Sequence, residues 1–196
     1  YEFMGNLDFD IKFTDWLTFS SVNNIKVQLF GSKDYSDPRS SSAEGVRGRI
    51  KEYRSEMMRR YTNQLLRFNK YFDKHAVNAI WAYEFNDYSA KTLTATGTGF
   101  VPGFEILDVV AKPEETKGGV LEWAVQSVFS NINYAYDNKY LAQLSLRRDG
   151  ASNFGDHAKY GNFFSISGGW NIHREDFFNS ELVNELKLRA AYGSVG

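Results

Sequence analysis

Three segments in the last third of the chain alternate apolar and polar residues with a period of two, which limits what the chain can fold into. From Tyr140 the apolar set is Tyr140, Ala142, Leu144 and Leu146, interleaved with Gln143, Ser145 and Arg147. From Phe164 it is Phe164, Ile166, Gly168, Trp170 and Ile172, interleaved with Ser165, Ser167, Gly169, Asn171 and His173. Near the end, Leu186, Leu188, Ala190 and Tyr192 alternate with Lys187, Arg189, Ala191 and Gly193. Successive side chains of a strand point to opposite faces, so each segment is predicted to be a strand with one apolar and one wet face. Arg, Lys, His and Asn are seldom buried without partners. One face is therefore expected to meet an apolar medium and the other water.

Composition narrows that medium. With 16 Phe, 12 Tyr and 16 Gly against 3 Pro, the chain suits β-sheets, and outer-membrane barrels in particular. A mean hydropathy of -0.46 does not argue against a membrane, because polar lumen residues and loops offset a lipid-facing band. A formal net charge of -1 gives no electrostatic reason to expect nucleic acid. The absence of Cys excludes disulfides and thiolate metal sites. No apolar run is long enough for a transmembrane helix. The opening Tyr1-Glu2-Phe3-Met4-Gly5 shows no signal peptide, and Gly193-Ser194-Val195-Gly196 follows a strand with no closing element. Both ends are expected to be cuts within a longer protein.

Five more strands are predicted upstream: near Asn6–Phe13, Leu17–Phe30, Tyr61–Phe68, Ala76–Phe85 and Leu121–Tyr136. The fifth changes phase between Val125 and Val128, which predicts a bulge. Connections alternate short (Thr14-Asp15-Trp16, Asn69 to His75, Asp137-Asn138-Lys139) with long (Gly31 to Arg49, Asn86 to Val120), and Asp149 to Lys159 is of middle length. Arg174 to Asn184 is longer than the other tight turns. Up-and-down outer-membrane barrels alternate periplasmic turns and external loops in this order, which puts the loops around Tyr35, Ala90 and Ser152 outside the cell. In Arg47 to Tyr61, the spacing of Ile50, Tyr53, Met57 and Tyr61 fits a basic amphipathic helix. The preferred reading is the basic wall of a long strand, because the segment runs directly into Asn63-Gln64-Leu65-Leu66.

Several blocks occur in a set order: Asp137-Asn138-Lys139-Tyr140-Leu141, then Arg147-Arg148-Asp149-Gly150-Ala151-Ser152-Asn153-Phe154-Gly155, then Tyr160-Gly161-Asn162-Phe163-Phe164-Ser165-Ile166-Ser167-Gly168-Gly169-Trp170. Glu175-Asp176-Phe177-Phe178 and Leu186-Lys187-Leu188-Arg189-Ala190-Ala191-Tyr192-Gly193 follow. This series resembles the SusC/RagA-type TonB-linked outer-membrane transporters, closely over residues 120–196 and more loosely upstream. The resemblance implies a large barrel with a plugged lumen, of which residues 1–196 would be a partial wall lacking plug domain, TonB box and closing strand. It implies uptake of oligosaccharides or peptides, a SusD-like surface lipoprotein as lid, a TonB complex as energy source, and residence in the bacterial outer membrane.

The chemistry-bearing residues fall short of a catalytic or metal site. His75, His157 and His173, on a turn, a loop and a wet strand face, have no metal-ligand spacing. Ser152, His157 and Asp149 are close in sequence, which is not triad geometry. Arg147 is read as a register and folding residue paired with carboxylates of neighbouring strands, in preference to lining a solute path. Trp81, Trp123 and Trp170 on apolar faces, with Trp16 at a turn, suit an interfacial belt. Tyr35, Tyr88, Phe100 and Phe104 are placed where sugar-stacking aromatics would be. Gly97-Thr98-Gly99-Phe100 lacks the context of a phosphate-binding loop. No catalytic residue, metal ligand or cofactor is expected, and no ligand-binding residue is assigned.

The expected fold is an all-β antiparallel up-and-down meander of about eight strands within a larger transmembrane barrel, and the expected role is transport, not enzymology. The alternative is a soluble cell-surface β-sandwich that binds glycans and buries the same apolar faces against a second sheet. A self-contained eight-stranded outer-membrane enzyme or adhesin is a third, weaker alternative.

Overall fold

The computed structural model describes residues 1–100, 103–155, 159–180 and 182–194. Its strands are β1 (Glu2–Thr14), β2 (Leu17–Ser36), β3 (Arg49–Phe72), β4 (His75–Thr98), β5 (Lys112–Tyr136), β6 (Tyr140–Ala151), β7 (Tyr160–Asn171) and β8 (Lys187–Gly193). They form one sheet in the order β1-β2-β3-β4-β5-β6-β7-β8, the up-and-down meander expected from the loop pattern. The tight turns have the chemistry such turns need. Asp137 and Asn138 both sit at φ 51°, and Lys139 N donates to Tyr136 O at 2.9 Å, the geometry of a type I′ hairpin turn.

The strand ends at the tight turns lie close to their predicted positions, whereas the opposite ends run further. β3 begins at Arg49, β4 continues to Thr98 and β5 starts at Lys112. Ala90 is thus a buried residue inside β4 and not part of a loop. The segment from Arg49 to Tyr61 is strand, so its helical spacing is incidental; Arg47 and Gly48, at φ 55° and 88°, make the turn that leads into it. A transmembrane strand needs only about 9–11 residues. The 24 or 25 residues of β3, β4 and β5 therefore exceed what a membrane requires.

Register decides which side chains share a face. Across β5 to β8 the ladder aligns Tyr136, Tyr140, Trp170 and Leu188 in one row. The next rows on that face are Tyr134, Ala142, Gly168 and Ala190, then Ile132, Leu144, Ile166 and Tyr192, then Ser130, Leu146 and Phe164. The row after that is Val128, Arg148 and Asn162. The opposite face carries Asn133, Gln143, Ser167 and Ala191 in one row, and Asn131, Ser145, Ser165 and Gly193 in the next. The alternation is thus realised strand by strand. The expected bulge is absent from the β5–β6 ladder, which pairs every residue from Val125 to Tyr136 without a break. The phase change instead marks where the apolar band stops. His173 lies in a short 3-10 turn, Ile172–Arg174, beyond the end of β7.

Among the described residues the buried apolar side chains are few: Ala43, Ile50, Ala82, Ala90 and Phe100. Leu7, Phe9, Ile11, Phe13, Phe164, Ile166 and Leu188 are all exposed. The accessible surface is 13907 Å², against roughly 9,500 Å² for a compact 22.5 kDa monomer. A β-sandwich would cover those side chains with a second sheet, and the described strands form only one. The soluble sandwich is therefore not the fold.

Contacts group the chain into two units. One comprises Tyr1–Gly5, Ile25–Arg60 and Asp87–Trp123. Its two long connections are held to each other: Gly99 N donates to Gly48 O at 3.2 Å, and Phe100 is buried beside Gly48. The other unit comprises Asn6–Asn24, Tyr61–Asn86 and Ala124–Gly196, and contains every tight turn together with β6, β7 and β8.

Candidate functional site

The wet face of β5 to β8 is where the second unit presents polar chemistry to solvent. Residues without bulk at Ser167, Gly169 and Ala191 leave a hollow of about 500 Å³, rimmed by Asn133, Gln143 and Arg189. Its charged lining residues are Lys187 and Arg189, so the hollow favours neutral or anionic polar groups. Earlier in the chain, the same unit carries a hydrogen-bonded line across β1, β2 and β3. The Ser20 hydroxyl donates to Asp10, and Arg67 Nη1 donates to Ser20 Oγ at 2.8 Å. Asp10 lies on the face of β1 opposite Leu7, Phe9, Ile11 and Phe13, as the strand period requires.

Arg147 is on the wet face, but its partner is not the one expected. It pairs with Asp149 of its own strand, Nε to Oδ2 at 2.7 Å, instead of with a carboxylate on a neighbour. Its guanidinium also reaches Ser127 Oγ at 3.4 Å on β5 and lies 5.6 Å from the centre of the Phe129 ring. Residues two apart on a strand share a face, so this ion pair follows from the Arg-Arg-Asp order alone. It leaves the guanidinium engaged across the β5–β6 seam.

At the tight-turn end, aromatic side chains collect along the apolar face. Phe72 stacks on His75 at 5.1 Å, His75 approaches Tyr136 at 5.0 Å, and Tyr136 stacks on Tyr140 at 6.4 Å. Trp16 meets Phe68 at 5.2 Å, with the Lys70 ammonium 4.9 Å from its ring. Amphipathic rings in such a row suit a membrane–water boundary. Glu175 ties the same end together. It accepts from Trp170 Nε1 at 2.9 Å and pairs with Lys139 Nζ at 3.2 Å. Hydrogen bonds from Trp170, Tyr140 and Lys139 hold its pKa below the usual glutamate value, and that of Lys139 is raised, first by its bond to Glu175. Sequence inspection did not find this group, because Lys139 and Glu175 lie on separate hairpins.

The remaining candidates are dispersed. His75 Nδ1 is 2.7 Å from the Tyr134 hydroxyl, and His173 Nδ1 is 3.1 Å from Leu186 O. His157 lies outside the described residues. Ser152 Oγ accepts from Ala124 N at 2.8 Å, and Asp149 is taken by Arg147, so these two are not assembled around a reacting centre. Of the aromatics placed for sugar stacking, Phe100 is buried and packs on Tyr35 at 5.3 Å, and Tyr88 stacks on Trp123 at 5.6 Å. Phe104 is 59% exposed and is the one of the four left with an open ring.

No family model matches the chain. Curated relatives do. The chain is 30% identical over 200 residues to the TonB-dependent receptor P39 of Formosa agariphila, a match covering 95% of this chain and 18% of that protein. It is 37% identical over 71 residues to the TonB-dependent receptor SusC of Bacteroides thetaiotaomicron, covering 36% of this chain and 7% of SusC. The chain thus spans about a fifth of the length of the receptors it matches along most of its own length. Among solved structures, the RagAB peptide importer in its closed-closed state superposes with a TM-score of 0.78 at 20% identity, over 98% of this chain and 22% of the importer chain. A second structure, of the RagAB peptide transporter, gives 0.74 at 19% identity. Eight meandering strands with one apolar and one polar face, paired with this sequence kinship, place the chain among the SusC/RagA-type TonB-dependent receptors.

Proposed function

We propose that residues 1–196 are a section of the barrel wall of an outer-membrane transporter that imports oligosaccharides or peptides. The observation that carries this reading is the segregation of faces by an unbroken register from β5 to β8. The apolar rows face lipid, the wet face lines the lumen, and the hollow at Ser167 and Gly169 is part of the solute or plug surface. On this reading the wall does not itself consume energy. A plug domain outside these residues moves under the pull of a TonB complex, and a SusD-like surface lipoprotein delivers solute. Peptide and oligosaccharide are both retained, since the solved structures that share this fold are named for peptide transport and the wall residues do not distinguish the two.

Residues 1–196 contain no Cys, so cysteine labelling in a receptor whose remaining segments are also cleared of Cys is a direct test. In the whole receptor, Gln143→Cys is expected to react with a membrane-impermeant maleimide from the aqueous side, and Leu144→Cys to react only with a lipid-soluble one. Equal aqueous labelling at both positions would sink the facing assignment. Deleting the gene and growing cells on oligosaccharide or on peptide as sole nutrient then identifies the solute class. Undiminished growth on both would remove the transport role.

A further inference from the structure

The apolar face of β5 to β8 ends in a single cation. Arg148 shares the row of Val128 and Asn162, immediately beyond Leu146 and Phe164. It therefore points to the side opposite Arg147. Arg147 is neutralised by Asp149, whereas Arg148 has no carboxylate within ion-pair distance among the described residues. Its guanidinium instead lies 4.7 Å from the centre of the Tyr160 ring, and the Tyr160 hydroxyl accepts from Gln126 Nε2 at 2.9 Å. Beside it a hollow of about 500 Å³ is lined on this face by Trp81, Val128, Leu146, Phe164, Arg148 and Asn162, and is bordered by Arg147 of the opposite-facing set.

The depth of this row follows from strand geometry. Arg148 is eight residues along β6 from Tyr140 in the aromatic row. At about 3.4 Å per residue and a tilt of about 40°, that is roughly 21 Å across the bilayer, close to the far edge of an apolar band about 25 Å tall. A lone cation is tolerated there because it reaches headgroups, whereas at the midplane it would be strongly disfavoured. On this face the hollow has apolar walls, an amide and the unneutralised Arg148 at the boundary, since Arg147 is held by Asp149, and this complements an acyl chain that carries an anionic headgroup.

We propose that Arg148, with Asn162 and the hollow beside Trp81, binds a phosphorylated, acylated lipid of the outer leaflet: phosphate on the guanidinium, acyl chain between Trp81, Leu146 and Phe164. This rests on the outer-membrane reading above. The test uses the whole receptor, reconstituted in phosphatidylcholine nanodiscs with bisphosphorylated lipid A, with the same lipid A stripped of phosphate, or with inorganic phosphate alone. Lipid retention is read by native mass spectrometry. The wild type should retain the bisphosphorylated lipid, and Arg148→Gln should retain it on the order of tenfold less, the size of one charge-assisted hydrogen bond. Arg148→Lys, which keeps the charge, should fall between the two. Equal retention by Arg148→Gln, or equal retention of the dephosphorylated lipid, overturns the proposal. Saturation by inorganic phosphate alone would make this a free-anion position and overturn it as a lipid site. A wild-type receptor that does not enter nanodiscs would fail the membrane reading itself, which separates that outcome from loss of the lipid site alone.

Discussion

Replacing Ile166 by Arg tests the assignment of faces most severely. Ile166 is 55% exposed and shares its row with Ile132, Leu144 and Tyr192. It lies four residues from Trp170 in the aromatic row. At about 3.4 Å per residue and a tilt near 40°, this is roughly 10 Å from the boundary and close to the middle of a band about 25 Å tall. An Arg there should cost about 2–4 kcal/mol, falling to about 0–1 kcal/mol at the boundary, where Leu188→Arg sits. Ser167→Arg is the matched control, one residue along and on the opposite face. It enters the open hollow beside Asn133 and Gln143 and should cost less than about 1 kcal/mol, with repulsion from Arg189 as its main penalty. The assay is denaturant titration of the whole receptor in phospholipid vesicles, followed by loss of the heat-modifiable folded band. The expected order of cost is Ile166→Arg well above Leu188→Arg and Ser167→Arg. Equal costs at Ile166 and Ser167, or no dependence on depth between Ile166 and Leu188, would refute the reasoning, because only a lipid contact distinguishes these positions.

Two further outcomes follow from other parts of the chain. Because the native pKa of Glu175 lies below its ordinary 4.5, its contribution to the tight-turn end is complete above that value and is lost as pH falls through the lowered one. Amide exchange over residues 171–178 should speed up on acidification in the wild type but not in Glu175→Gln, and identical acid profiles would argue against the link. Gly48 sits at φ 88°, and a Cβ there would lie 2.5 Å from the Phe100 ring. Gly48→Ala should cost on the order of 1–3 kcal/mol and speed limited proteolysis of residues 37–48; unchanged resistance would show that this contact does not hold the loops.

What could be read from the residues depended on whether a face has to be apolar. Within the apolar band of β6, β7 and β8 the side chains of one face are apolar or small, so alternation located the strands and their two faces. Beyond the band that demand lapses. In β5 the stretch Lys112–Gly119 contains Glu114, Glu115, Lys117 and two glycines, yet it remains in the sheet because backbone pairing alone sustains a strand. The far end of β4 did carry a signal: Thr92, Thr94, Thr96 and Thr98 alternate with Leu93, Ala95 and Gly97, and threonine favours strands. Phe100 was misplaced for a different reason. An aromatic in a Gly-rich connection looks available for ligand until the partner connection is seen to close over it.

Arg147 and Arg148 show where pattern ends and register begins. The strand period alone sends these neighbours to opposite faces, and the Arg147–Asp149 pair follows from the same period without any structure. Nothing in that period says which row Arg148 occupies. That requires the pairing of Val128 with Arg148 and of Arg148 with Asn162, together with the count of residues back to Tyr140. Placed two rows lower, beside Leu144, the same cation would stand near the middle of the apolar band and lower stability by several kcal/mol; at the boundary it costs about 1 kcal/mol or less. Depth, set by the ladder and the turn at Asp137-Asn138, therefore decides whether an arginine on this face is a defect or a contact for an anionic headgroup.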